Sequence, residues 1–363
     1  MPFKLIHRYL SLACALLWLF QAATGCLVVF RWEIDDLGVP GKATAFDADA
    51  MGAKLDSLTT TPGIEVSSMW ANNSAANRFD IFYSDHGKDR TLRVNGRGET
   101  LRDRSNDGLG QGNIFDRLSD LHMALMLGDV GRWFIGLSGL LLLTNLGLGV
   151  KLAWPRVGQW LKTLQLPKGK APVALLFGWH RMLGLWLVVP AFVTIAAGVF
   201  LAYDDPIATL FKAEVPEPTV AASHTTPIKP SVALKAALAR FPGATISGFS
   251  LPSDNPWYRV RLHAKGEMPR LWGMTTVFIS SADGHILSAY DARQAHKPAR
   301  FLEDLAYPLH TGQIAGPFGR VVQLLIGLWL MTMIGLGISL WWTRRRMVRQ
   351  KSQTAEKSPA AAK

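Results

Sequence analysis

Four stretches of the chain are apolar for long enough to cross a bilayer: Leu10–Phe30, Trp133–Val150, Leu175–Leu201 and Val321–Trp342. The first, second and fourth hold no Lys, Arg, Asp or Glu, and the third carries Arg181 near its start. Polar segments large enough to fold separate the first span from the second and the third from the fourth. In the earlier one, a helix over Thr44–Leu58 is stopped by Thr61-Pro62-Gly63. Strands Ile64–Trp70, Asn77–Tyr83 and Thr91–Val94 follow, with turns at His86-Gly87 and Asn95-Gly96, in a unit of about four strands. The later segment repeats that order. Ser231 caps a helix over Val232–Arg240, and strands follow at Thr245–Leu251, Trp257–His263, Leu271–Ser280 and His285–Tyr290. The alternation of Trp257-Tyr258-Arg259-Val260-Arg261-Leu262 is that of a half-buried strand. Pro206–Pro230 reads as an irregular connection.

The apolar spans repeat as well. His7-Arg8 leads to Gly25 and His180-Arg181 leads to Gly198 after the same 18 residues, roughly 27 Å of helix. His122 precedes Gly131-Arg132 by nine and ten residues, as His310 precedes Gly319-Arg320. Twenty-five residues lead from each of these histidines to Gly147-Leu148-Gly149 or Gly335-Leu336-Gly337, and thirty-two to Trp154 or Trp342. The chain is therefore a duplication of span, α+β unit, span. Both copies begin on the same side, so the repeats are parallel, about an axis along the membrane normal.

Charge adds the topology. The net charge of +12 does not point to nucleic acid, because it is concentrated at span ends. Lys4 and Arg8 precede span one, Lys151, Arg156, Lys162, Lys168 and Lys170 fill the link between spans two and three, and Arg344, Arg345, Arg346, Arg349 and Lys351 follow span four. Glu33, Asp35, Asp36, Asp204 and Asp205 flank the opposite ends. The positive-inside rule places both termini in the cytoplasm. The expected organisation is residues 1–32 for the cytoplasmic start and first span, 33–117 and 204–305 for two outer domains, and 118–153, 174–203 and 306–343 for the other span regions. Residues 154–173 are a cytoplasmic loop and 344–363 a basic cytoplasmic tail. The fold class is thus a membrane α-helical bundle of four transmembrane helices with two extracytoplasmic α+β domains, set in the inner membrane of a bacterium and in contact with lipid. The first span is too long for a signal-peptide core and is read as retained. The two cysteines, Cys14 and Cys26, lie about 18 Å apart on one helix and cannot bridge.

Four histidines stand at repeat positions, His7 and His180 at the inner face and His122 and His310 at the outer. An approximate twofold axis brings each pair together, and paired imidazoles are how a helical bundle holds a b-type haem without covalent attachment. Two such pairs would hold two haems. The plain alternative is that each is an interfacial histidine bonding headgroups or capping a helix. Arg8 and Arg181 are placed to meet propionates, or serve as topology charges. Gly25, Gly198, Gly128, Gly131, Gly316 and Gly319 permit close approach or mark helix breaks. Trp18, Trp186 and Trp329 lie deeper in the spans, and Trp133, Trp154, Trp160, Trp341 and Trp342 form interfacial belts. His86, His224, His263, His285 and His296 have no repeat partner and read as solvated. Trp70, Trp257 and Trp272 are candidate contact residues of the outer domains, or core.

The blocks His7-Arg8 with Thr24-Gly25, His180-Arg181, Leu121-His122 with Gly131-Arg132, and Leu309-His310 with Gly319-Arg320 resemble the PepSY-associated transmembrane family. Residues 44–101 and 231–291 resemble PepSY domains. The resemblance implies an iron-regulated inner-membrane protein or a di-haem ferrisiderophore reductase. Electrons would pass from a cytoplasmic reductase or quinol through two haems to a periplasmic ferric siderophore, an oxidoreductase function in iron uptake. A different class of function stays open, that of a haem-free membrane-anchored binding or regulatory protein for an envelope partner or protease. The second copy departs from the pattern at Ala197, where the first has Thr24, and Pro190 kinks the third span.

Overall fold

The computed structural model describes residues 2–356 except 43, 73–76, 111–112, 169–170, 213–214, 221–225 and 295–296, and gives only the backbone of 297–303, 351 and 354–356. His224 and His296 lie outside the described residues. The helices are α1 (Pro2–Val28), α2 (Arg31–Asp36), α3 (Ala48–Thr59), α4 (Asn113–Ala124), α5 (Gly128–Ala153) and α6 (Trp160–Thr163). They continue as α7 (Pro172–Trp186), α8 (Val188–Ala202), α9 (Asp204–Phe211), α10 (Pro230–Arg240), α11 (Lys297–Thr311) and α12 (Gly316–Glu356). The strands are β1 (Ile64–Ala71), β2 (Arg78–Asp85), β3 (Lys88–Asn95), β4 (Thr100–Ser105), β5 (Thr245–Ser250), β6 (Trp257–His263), β7 (Thr275–Ser280) and β8 (Ile286–Tyr290). They form two compact units, a bundle of Met1–Val29, Asp120–Tyr203 and Phe318–Lys363 and a sheet unit of Phe30–Ser119 and Asp204–Pro317.

In the bundle, α1, α5 and α12 are each long and apolar enough to cross a membrane, and α7 with α8, bent by 64° at their break, has that length and composition only when the two are taken together. The bend has a cause in Pro190, which lacks an N–H and whose ring clashes with the carbonyl four residues back. That residue is Trp186, where α7 ends. Gly128 and Gly316 open α5 and α12 with φ of +58° and +57°, at equivalent places in the two copies. A side chain would be strained there. The helix α12 is 41 residues long, about 60 Å, so it runs past the apolar Val321–Trp342. The expected tail from 344 thus begins as helix, with Arg345 and Arg346 over the rings of Trp341 and Trp342.

Helices of the two copies approach through small residues, as they must where lipid removes the hydrophobic drive for association. A Cβ on Gly139 would lie 2.5 Å from Val199 Cγ2, and one on Gly327 would lie 2.4 Å from Cys26 Sγ. These contacts are the same contact twice. Gly139 and Gly327 stand 188 residues apart, as do His122 and His310, and Cys26 and Val199 stand 173 apart, as do His7 and His180. The bundle therefore carries an approximate twofold axis relating α1 and α5 to the α7–α8 pair and α12.

The sheet unit holds one antiparallel sheet in the order β4-β3-β2-β1-β5-β6-β7-β8. The two four-stranded sets expected from the sequence thus join edge to edge, Met69 opposite Phe249 at the seam. Each set leaves one edge strand that the other covers, which removes an exposed edge. One face packs on α3 and α10, where Met51, Leu55, Leu234, Met69, Phe249 and Val260 are fully buried. Gly52 lets the two helices touch, since a Cβ there would be 2.4 Å from that of Ser231.

Several boundaries differ from expectation. The first helix starts at Ala48 because the Asp47 side chain caps it, accepting from the amides of Asp49 and Ala50. Ser231 is not the cap of α10; Lys229 holds that position and Pro230 supplies the first turn with its fixed φ. Strand β7 starts at Thr275, since Gly273 lies against the backbone of Leu262 and no side chain fits. The His86-Gly87 turn does join β2 to β3, with φ of +50° and +79°. Gly327→Leu is expected to lower the unfolding midpoint of the purified protein by about 1–3 kcal/mol equivalent through overpacking. Gly147→Ala, with open space around it, leaves the midpoint unchanged or raises it; equal losses in both would refute the account of the helix contact.

Candidate functional site

Within the bundle, His7 and His180 meet. Their ring centroids are 6.4 Å apart with planes at 63°. His7 Nδ1 lies 3.1 Å from the backbone carbonyl of Asn145 on α5, which is an acceptor only, so the ring donates and its Nε2 carries the free lone pair. Asn145 is itself held, its amide donating to Ser11 Oγ at 2.9 Å while Ser11 donates to the His7 carbonyl. The equivalent of Asn145 is Met333, whose carbonyl is the backbone acceptor on the side of His180, although His180 Nδ1 completes no hydrogen bond in the geometry present. Ser11 corresponds to Gly184, which faces the Met333 methyl. One side of the pair is thus anchored by a polar chain and the other by apolar contacts.

Glycines flank the rings. A Cβ on Gly149 would be 3.2 Å from His7 Cε1, and one on Gly337 would be 3.6 Å from His180 Cε1. His122 repeats the motif against Gly25, its Cε1 3.1 Å from where a Cβ would be. Thr24 Oγ1 donates to the Phe20 or Gln21 carbonyl and lies 3.1 Å from His122 Nδ1. The hydroxyl therefore accepts from His122 Nδ1. Ala197 stands where Thr24 stands in the first copy and has no hydroxyl to do this. His122 belongs to the bundle and His310, on α11, to the sheet unit.

The arginines beside the inner histidines have local roles in this geometry. Arg181 donates from Nε to the carbonyl of Ala153 at the end of α5, a favourable place for a cation. Arg8 leans on Tyr9, donating to its hydroxyl at 3.0 Å, and its Nε is buried without a partner. Asn145 Oδ1 and His180 Nδ1 are likewise buried and unsatisfied. Trp18 and Trp329 are buried, donating to Ser138 Oγ and the Leu183 carbonyl, while Trp186 is 55% exposed on the outside of the bundle.

Two imidazoles gripping one metal at roughly 2 Å per bond have centroids about 6 Å apart, which the 6.4 Å separation of His7 and His180 meets. The lone pair left on His7 Nε2 and this separation suit two histidines holding one metal-centred group between them.

In the sheet unit, the face away from α3 and α10 carries a second concave region. One register row crosses all eight strands: Arg102, Arg93, Asp80, Trp70, Gly248, Arg261, Thr276, Tyr290. Arg93 is 2% exposed and pairs with Asp35 at 2.9 Å, Asp36 at 3.1 Å and Asp80 at 2.8 Å. Arg78 pairs with Asp36 and Arg102 with Asp35, so three arginines fasten α2 to the sheet. Burial opposes the charge of Arg93, but the three carboxylates outweigh it and raise its pKa. Burial pushes the Asp35 carboxyl up, and Arg102 and Arg93 more than offset that, leaving it below the ordinary range.

Of the three tryptophans weighed as contact residues or core, Trp70 and Trp272 line this region, while Trp257 is 8% exposed and packed on Phe278. His86 and His285 are exposed and pair with Asp85 and Asp283, and His263 is half-buried in β6. The pocket and the Asn145 carbonyl were missed from the sequence. The tandem Asp35-Asp36 after the first span was the available signal for the former, and the latter has none, since a backbone acceptor leaves no residue type behind.

Removing Arg93 leaves Asp80 and Asp36 buried with less compensation, so Arg93→Met is expected to cost about 3–5 kcal/mol in chemical denaturation. Asp35, its folded pKa held below the unfolded value of about 3.9, adds stability that is complete above that pH and lost as pH falls through the folded value. Melting temperature is therefore expected to drop on acidification below about pH 4, and less so in Asp35→Asn. A model of the family described as PepSY-associated TM region matches residues 5–344 of the chain. No curated protein matches it.

Proposed function

The chain belongs to the PepSY-associated TM family and is a multi-pass membrane protein, and from that premise we propose that it carries single electrons across the membrane on two b-type haems. His7 and His180 hold the inner one, and His122 and His310, paired by the repeat, the outer one. The observation that carries this reading is the meeting of His7 and His180 at 6.4 Å, with His7 anchored through Nδ1. A ring fixed through one nitrogen presents the other in a set direction, which is how metal-binding histidines are oriented.

When bound, haem supplies a one-electron Fe(III)/Fe(II) couple. The chain's own residues hold and aim the imidazoles, and Gly149 and Gly337 let the Cε1 edges lie close against α5 and α12. The apolar span surfaces around the imidazoles would keep water from them. A cytoplasmic reductase or a quinol is the donor. The acceptor is a periplasmic ferric siderophore or similar chelate, since reduction weakens the hold of hard oxygen ligands on iron. The setting is the bacterial inner membrane, with both termini cytoplasmic, as the distribution of Lys and Arg supports.

The test is a reduced-minus-oxidised spectrum of the full chain purified from haem-replete cells. Distinct b-type bands are expected, and the absence of any haem would sink the reading. His7→Ala, His180→Ala, His122→Ala and His310→Ala are each expected to lose about half of the haem. His86→Ala and His263→Ala keep all of it. Gly149→Val is expected to lose haem as His7→Ala does, because the added carbons displace the ring.

A further inference from the structure

We propose that the pocket on the sheet face opposite α3 and α10 is a binding site for a small planar aromatic anion. Its lining includes Trp32, Trp70 and Trp272 with Arg31 and Arg261, and its volume is about 380 Å³, within the range of small-molecule sites. This site stands on the sheet unit alone and does not depend on haem in the bundle.

The walls choose the ligand's shape. Trp272 stands edge-on to both Trp32 and Trp70, with centroids 6.4 and 5.7 Å away and planes at 89° and 70°. Its indole N–H is fixed by donation to the Ala71 carbonyl. Trp70 lies across Gly248, where a Cβ would come within 2.6 Å of the indole. The glycine therefore exists at this register position to let the ring lie flat over the seam of β1 and β5. Trp272 held edge-on to the other two indoles, with guanidinium groups over those two, leaves a slot of ring edges and guanidinium planes that a flat ring satisfies and a puckered one does not.

The charges choose its sign. Arg31 lies over Trp32 at 4.4 Å and Arg261 over Trp70 at 5.7 Å, so guanidinium groups already sit on two of the indoles. A cationic ligand would meet them as like charge, which removes the aromatic-cage alternative. The lining aspartates are engaged: Asp35 and Asp80 with Arg93, and Asp116 with Arg104 and, at 4.0 Å, with Arg31. Arg104 is 4% exposed, and its Nε is buried without a hydrogen-bond partner, an unmet donor in the pocket lining. A carboxylate or phenolate on a flat ring meets these donors while its ring meets the indoles. The arrangement is not a passive copy of the repeat. Pairing about the Met69–Phe249 seam makes Ser250 the counterpart of Trp70, so the second copy has no indole there.

Ligand-observed NMR on the full-length protein in nanodiscs tests this, with 2-naphthoate as the probe. Saturable binding is expected, weakened about tenfold in Arg261→Met and in Trp70→Leu. Cyclohexanecarboxylate, which is charged but not flat, and 2-naphthylmethylamine, which is flat but cationic, are expected to bind at least about tenfold more weakly to the unaltered protein. Those two comparisons need no variant, so misfolding of Trp70→Leu leaves the proposal open to refutation. No saturable naphthoate binding, or equal binding of all three probes, overturns it. Arg261→Lys keeps the charge and should recover part of the affinity lost in Arg261→Met; recovery of none would overturn the role given to Arg261. Loss of haem in the bundle with naphthoate binding intact would fault the electron-transfer reading and leave this one standing.

Discussion

Two polar rings meet inside a largely apolar bundle, and polar and small residues of that unit are arranged around them. Bringing imidazoles out of water costs free energy unless their nitrogens find partners. His7 finds the Asn145 carbonyl through Nδ1, and Asn145 is held in turn by Ser11. The second copy meets the same requirement less completely, with Gly184 and Met333 where the first has Ser11 and Asn145. A duplicated scaffold has thus diverged at its inner site while keeping the ring positions and the glycines beside them.

The sheet unit depends on a different interaction that serves a parallel end. Asp35 and Asp36 follow the first span directly and dock on Arg78, Arg93 and Arg102. Buried ion pairs of this kind are weak sources of net stability but strict about geometry. They fix α2, and with it Arg31 and Trp32, along the aromatic pocket. The pocket is therefore shaped by residues that the sequence places next to a membrane helix and by strands from both copies.

How much of this could be read from the sequence followed from how local each signal is. Apolar length located the spans, and Pro190 marked the kink, though not its size or its appearance as two helices. Matched spacing identified which histidines belong together, because duplication writes the same interval twice. Alternation correctly put Tyr258, Val260 and Leu262 on the core face of β6. It could not reveal that β1 pairs with β5, since strand partners distant in sequence leave no periodic trace. For the same reason Trp70 and Trp272 could not be told from Trp257. All three are large and flanked by strand residues, and only the pairing decides that Phe278 covers one of them.

The central claim is that two histidines hold one metal from opposite sides, and low-temperature electron paramagnetic resonance of the oxidised full-length protein addresses it most directly. Low-spin ferric signals of bis-imidazole ligation are predicted, with one component lost in His180→Ala. A purely high-spin ferric signal, or a low-spin signal unchanged in both His7→Ala and His180→Ala, would contradict the account.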